Sequence, residues 1–341
     1  MKQVKMREGK LLNEDGNLYE PGFATRLIKT YDRKAIKARK SRIKEWDYYF
    51  IYDDEYGIAL TIDDNSYMGL ISFSVLDFIN HKDVTKSVIR WFTSGKTNLP
   101  STSKTGDVRV KGKNFDFAFY NNNGDRRVEC TFYDKKEKKA FSCNVSLKET
   151  TPHSMVIATP FEKDKHFYYN QKINLLKGEG SFSFGSINHT FKEHTYGVLD
   201  WGRGVWTYKN TWYWSSLSVF NNGHRIGFNL GYGFGDTSQA TENMLFVDEN
   251  VFKLDDVVFE IPQNEDGTDN YSGEWKFTSS NKDINLTFKP IIDRFSDTNV
   301  LIIRSCQHQV FGYFTGDFKV GKDVYHIENA LGFAEKVFNK W

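Results

Sequence analysis

The chain has 341 residues, with 46 Lys+Arg against 44 Asp+Glu and a formal net charge of +2, so its overall charge selects neither nucleic acid nor an anionic membrane as partner. Aromatic residues make up 16% of the chain, with 29 Phe, 18 Tyr and 8 Trp against 6 Pro, a mixture that favours half-buried strands. Cys130, Cys143 and Cys306 form no CxxC pair, which argues against a disulfide framework or a zinc ribbon and for free thiols in a reducing, cytoplasmic setting. No apolar run reaches the roughly 18 residues of a membrane-spanning helix, and the start of the chain lacks the apolar stretch of a secretory signal.

Residues 1–30 predict an irregular lead-in, with turns at Gly16-Asn17 and Pro21-Gly22. The basic stretch from Lys29 to Lys44 predicts a short helix or an exposed loop, and reads either as a solvated face or as an anion-binding patch. Strand patterns follow at Asp47–Tyr52, Gly57–Ile62, Met68–Ile79, Ser87–Phe92, Asp107–Val110, Asn114–Tyr120, Arg127–Tyr133 and Phe141–Leu147. Pro160 to Gly185 predicts a less regular segment, with a turn at Lys177–Gly180. Strands resume at Trp212–Phe220, Arg225–Tyr232, Asn243–Val247, Val257–Ile261, Glu274–Ser279, Ile284–Lys289, Val300–Ser305, Gln309–Phe318 and Val324–Ile327. Short strands joined by Asn-, Gly- and Lys-rich turns predict an all-β protein of antiparallel sheets, divided near residue 180 into two barrel-like halves, 1–180 and 181–341.

Three segments carry chemistry. Tyr196 to Trp214 holds four of the eight Trp, with Asp200 and Arg203 set among Gly202 and Gly204. It reads as an aromatic-walled pocket with Asp200 and Arg203 as its polar groups, or as a buried Asp–Arg ion pair bolting two sheets together. Gly227 to Asn243 interleaves glycines with bulky residues before a polar cluster at Asp236, Thr237, Glu242 and Asn243; without a βαβ context it is no dinucleotide fingerprint, and the cluster reads as site or as turn. Glu335 lies in an apolar closing strand, where it is either a carboxyl with a raised pKa or an edge carboxylate facing water. His189 and His194 lack companions for a metal site, and no GxSxG, HExxH or GxxxxGK[ST] occurs.

Lys44–Tyr49, Asp200–Trp206, Gly233–Thr237, Ala240–Asn243 and Gly332–Glu335 together resemble the bacterial family known as domain of unknown function 2804. The chain is more distantly similar to the two-domain lipocalin-like superfamily of carotenoid 1,2-hydratase and kievitone hydratase. Those proteins open the second barrel with an Asp-His motif, follow it with a Trp-x-Trp strand and close with a Gly-Tyr-x-Glu strand; here Asp200, Trp212, Trp214 and Glu335 would correspond, and Trp201 stands where the hydratases carry His. The resemblance implies two lipocalin-like antiparallel β-barrels in tandem, with a site near their junction. It implies cofactor-free, metal-free hydration, isomerisation or cyclisation of a hydrophobic or phenolic unsaturated small molecule, or else non-catalytic carriage of a lipid or other apolar ligand. Asp200 would be the acid, Glu242 or Glu335 its partner, and Arg203 would orient one of them. Aromatic faces would stabilise a developing carbocation. Tyr196, Trp201, Trp206, Tyr208, Trp212, Trp214, Asn229, Asp236, Thr237 and Asn243 would contact substrate.

Overall fold

The computed structural model describes residues 2–300 and 303–340, so positions 301 and 302 of the expected strand Val300–Ser305 lie outside the described residues. Three short strands, β1 (Gly9–Lys10), β2 (Gly22–Ala24) and β3 (Lys29–Thr30), open the chain. The basic stretch forms two 3₁₀ turns, Arg33–Ala35 and Lys40–Arg42, ahead of β4 (Ile43–Tyr52). There follow β5 (Tyr56–Asp64), β6 (Met68–Asp77), β7 (Lys82–Trp91), β8 (Val108–Lys111), β9 (Phe115–Asn122), β10 (Asp125–Asp134), β11 (Lys139–Glu149), β12 (Met155–Pro160), β13 (Phe167–Phe184), β14 (Ile187–Thr190) and β15 (Tyr196–Val205). The remainder is β16 (Lys209–Asn221), β17 (His224–Tyr232), β18 (Met244–Val247), β19 (Asn250–Lys253), β20 (Val258–Glu260), β21 (Trp275–Thr278), β22 (Ile284–Val300), β23 (Ile303–Val320) and β24 (Asp323–Lys340). No helix of the described residues is long and apolar enough to cross a membrane.

Two curled antiparallel sheets account for the fold. The first runs β7-β6-β5-β4-β15-β13-β11-β10-β9-β8, with β12, β14 and β2 attached, and the second runs β19-β18-β17-β16-β24-β23-β22-β21-β20. The sheet changes between Val205 and Lys209, so residues 181–205, placed with the C-terminal half from sequence, pair within the first sheet. Alternation drives each wall: in β10 Arg126, Val128, Cys130 and Phe132 are buried while Arg127 and Thr131 are exposed. Cys130 and Cys143 face each other across β10 and β11 as free thiols, and Cys306 is half-buried. The second sheet closes over Phe228, Trp275, Phe277, Phe288 and Phe314.

The segment read as irregular is an 18-residue strand, β13. Its glycines mark close approach within the sheet. A Cβ on Gly178 would fall 2.9 Å from Thr195 Cγ2, and one on Gly180 would fall 2.2 Å from the Asn144 carbonyl oxygen. A bulge between Ile173 and Leu176, with Leu175 at φ 57°, pushes Asn174 into the second sheet, where its amide donates to the carbonyls of Leu217 and Phe228 at 3.1 and 3.0 Å. A Cβ on Gly227 would meet Leu175 Cγ at 3.0 Å and Asn174 Cβ at 3.2 Å, so glycine there lets the bulge seat. Tyr48, Phe50 and Tyr52 of β4 complete the junction against Trp214, Phe311 and Phe333.

Candidate active site

Side chains of a strand alternate between its faces. In β15 the even residues look toward the second sheet and the odd ones into the first barrel's core, which holds Leu199, Trp201 and Val205. Asp200 and Arg203 therefore point apart. Arg203 is fully buried and donates to Asp47 Oδ1 at 3.0 Å and to the carbonyls of Trp46, Gly202 and Pro100 at 2.7, 2.8 and 2.7 Å. Its guanidinium lies 4.2 Å from the Trp201 ring, which is packed edge-on against Tyr31 and Tyr169. Burial pushes the Asp47 carboxyl up, and Arg203 opposes that shift. Arg203 and Trp201 thus serve the first barrel's core, and neither reaches Asp200. Gly202 and Gly204 make no bend. A Cβ on Gly202 would fall 1.9 Å from the Trp46 ring, and one on Gly204 2.4 Å from the Phe167 carbonyl oxygen, so both glycines admit neighbours within an extended strand.

Asp200 is buried on the junction side. Its cross-strand partner on β13 is Lys172, whose Nζ lies 2.7 Å from Asp200 Oδ2; the Asn170 amide donates to Oδ1 at 2.6 Å. The same Nζ sits 3.6 Å from the centre of the Trp214 ring. Across the second sheet Trp214 pairs with Glu335 on one side and with Gly231 on the other. Glu335 Oε1 accepts from the Trp212 indole at 2.9 Å and Oε2 from the Gln309 amide at 2.9 Å. Glu242 comes in from the loop before β18. Its Oε1 would be 2.8 Å from a Cβ on Gly231, so only the missing side chain lets the carboxyl approach. Asn229 ties the row together, accepting from the Trp214 indole at 2.7 Å and donating to the Glu242 carbonyl at 2.8 Å.

These groups act on one another electrostatically. Burial pushes the Glu242 carboxyl above its ordinary range, Lys172 opposes that shift, and Asp200 adds to it. Burial raises Glu335 likewise, against the Trp212 hydrogen bond and the charges of Lys172 and Arg294. The Tyr168 phenol is pushed well up by burial and then by the charges of Glu242, Asp200 and Glu335. Two raised carboxyls beside a carboxylate paired with a lysine are groups able to give and take a proton. Trp206 lies 5.2 Å from Trp46, 5.7 Å from Trp212 and 4.7 Å from Phe234, edge to face, and seals one flank.

The remaining expected contacts lie elsewhere. Tyr196 is buried four residues along β15 from Asp200, roughly 13 Å away at strand rise. Tyr208 is 41% exposed. Asp236 is exposed and caps its own turn through the Ser238 amide at 2.9 Å, with Thr237 in the same turn, its carbonyl accepting from the Ala240 amide. Asn243 clamps the loop, accepting from the Gly231 amide at 2.7 Å and donating to the Asp255 carbonyl at 2.6 Å. Sequence reasoning missed Lys172, Asn170, Tyr168 and Gln309. A groove of about 880 Å³, lined by Tyr120, Arg127, Lys177 and Phe191 among others, shares no residue with the carboxylate cluster. Among the described residues no group of three or more His, Cys, Asp or Glu is arranged to hold a metal.

The model of the family described as "Domain of unknown function (DUF2804)" matches residues 2–341. The chain belongs to the DUF2804 family. No curated protein matches its sequence. Its fold is similar to that of kievitone hydratase from Nectria haematococca, at 11% identity and a TM-score of 0.55, covering 97% of this chain and 98% of that one. It is also similar to an AttH-like protein from Nitrosomonas europaea, at 12% identity and a TM-score of 0.53, covering 90% and 96%. These likenesses establish that this DUF2804 protein has the two-domain lipocalin-like fold.

Proposed function

We propose that this DUF2804 protein is a cofactor-free hydratase, isomerase or cyclase acting on a hydrophobic or phenolic unsaturated small molecule at the sheet junction. The observation that carries this reading is the burial of three carboxyl groups, Asp200, Glu242 and Glu335, around Lys172 against Trp214. Burying so much ionisable chemistry is costly for stability, and well-packed apolar residues would hold two sheets together at least as well. The fold is shared with a protein named as a hydratase, which is consistent with the reading. Glu242 and Glu335, held toward the neutral form, are the proton donors to carbon; Asp200, paired with Lys172, is the base. Trp212, Trp214 and Trp206 supply apolar contact.

Hydration, and isomerisation or cyclisation begun by protonation as proposed for Glu242 and Glu335, deliver a proton to carbon, so one assay covers them. The protein is incubated in D2O with prenylated phenols, polyenes and conjugated enones, and carbon-bound deuterium is read by mass spectrometry. The wild type is expected to label at least one class, and the Glu242→Gln/Glu335→Gln double variant to lose that labelling. Absence of label in every class, or full labelling by the double variant, refutes the reading.

A further inference from the structure

The aromatic wall of the junction carries a resident cation. Lys172 Nζ stands 3.6 Å from the Trp214 centroid, the place a substrate carbocation would take to gain cation–π stabilisation there. The other rings are engaged edge to face: Trp206 with Trp46, Trp212 and Phe234 at interplanar angles of 78°, 73° and 74°. A second positive charge developing beside a buried ammonium is repelled in a medium of low effective dielectric, whereas a negative charge is attracted there. An ammonium has three N–H donors. Among the described residues the one ion-pair or hydrogen-bond partner of the Lys172 ammonium is Asp200, at 2.7 Å, although the Lys172 side chain is only 4% exposed. With Asp200 and the Trp214 ring each facing one donor, a third is left to meet an acceptor on a ligand, since a buried donor without one costs stability.

We propose that Lys172 is an electrophilic catalytic residue whose remaining N–H group holds the carbonyl oxygen of a conjugated enone, and that charge at this site develops as an enolate oxygen and not as a carbocation. The inference rests on the proposed function and narrows its substrate class to α,β-unsaturated carbonyl compounds with apolar flanks. For hydration, the oxygen of water bonds to the β-carbon and its proton passes to Asp200. The alkene π pair moves toward the carbonyl oxygen, giving an enolate held by Lys172. Protonated Glu242 or Glu335 then delivers a proton to the α-carbon, so that H and OH are added across the double bond. The carboxyl groups return to their starting states by proton exchange with water. Donors fixed in a dry site stabilise the developing charge without reorganising.

The test compares two probes of one skeleton, trans-chalcone and 1,3-diphenylpropene, in which the carbonyl of the first is a methylene in the second. Isothermal titration calorimetry on the full chain is expected to show chalcone bound at least about tenfold more tightly, the worth of a hydrogen bond from a charged donor. That preference is expected to vanish in Lys172→Met and in the charge-neutral Lys172→Met/Asp200→Asn variant, the latter covering a failure of the single variant to fold. On the wild type, chalcone labelled with ¹³C at the carbonyl is expected to show an infrared C=O stretch shifted to lower wavenumber than in a hydrocarbon solvent. Equal affinities for the two probes, an unchanged preference in the double variant, or an unshifted stretch overturns the inference while deuterium transfer to other substrates leaves the proposed function standing. Binding of neither probe overturns the inference as well, and absence of deuterium transfer from every substrate class overturns the function beneath it.

Discussion

Breaking the Lys172–Asp200 pair from each side in turn measures how much of the junction rests on buried charge. Both side chains are almost out of solvent, 4% and 10% exposed, and their charged atoms are 2.7 Å apart. Lys172→Met leaves Asp200 with the Asn170 amide alone, a buried carboxylate without a counter-ion, at an expected cost of about 3–5 kcal/mol. Asp200→Asn leaves Lys172 its Trp214 contact, so its cost falls at the lower end of that range. The double variant removes both charges together, and its cost is expected to fall short of the sum of the two by about 2–3 kcal/mol. Urea unfolding followed by Trp fluorescence and far-UV circular dichroism gives the cycle, with coincidence of the two probes required before the midpoints are compared. Costs that simply add would refute the coupling and with it the view that the pair is one electrostatic unit.

Gly231→Ala is expected to destabilise by about 1–3 kcal/mol in thermal or urea unfolding. Its Cβ would lie 2.8 Å from the Glu242 carboxyl, which can swing away, but also 2.9 Å from the Tyr213 carbonyl oxygen, which cannot. Glu242 and Glu335 hold their protons more tightly folded than unfolded. Their contribution is therefore complete below the ordinary Glu value of about 4.3 and declines as pH rises through their raised folded values. In Glu242→Gln/Glu335→Gln the melting temperature should decline less with rising pH over this interval, and a decline identical to wild type would contradict the assignment. Arg203→Met is expected to cost about 3–5 kcal/mol, because it strands Asp47 and three carbonyls. Asp236→Ala, in an exposed turn, should stay within about 0.5 kcal/mol of wild type by the same unfolding measurement.

The strands that wall a single core were legible because each has one wet face. β11 alternates buried Phe141, Cys143, Val145 and Leu147 with exposed neighbours, and that period of two reads directly as a strand. β13 was not legible for the same reason reversed. From Phe167 to Leu176 it is buried on both faces, and one of those faces meets a polar junction, so its residues run Tyr, Asn, Gln and Lys without alternation. Its glycines then looked like a turn, although they are places where Thr195 and the β11 backbone come close. A strand that belongs to two cores loses the pattern by which strands are found, and the division of the halves at residue 180 cut through it.

The structure brings together three carboxyls that the sequence singles out by residue type and company: an Asp among tryptophans, a Glu in a glycine-rich polar stretch, a Glu in an apolar closing strand. Their partner was misassigned, and the error has a simple physical form. Asp200 and Arg203 are three residues apart in a strand, so they must lie on opposite faces, and proximity in sequence here guarantees separation in space. The same parity sends Trp201 away from Asp200 and sends Trp212 and Trp214 to one face together. The counter-ion had to come from the neighbouring strand, where the register Lys172↔Asp200 provides it. No local signal in the sequence fixes that register. It shifts by one residue at the bulge at Asn174–Leu175, which the second sheet accepts because Gly227 leaves room for it. The position of the central cation is thus decided by how the two sheets fit, which is why it emerges only with the fold.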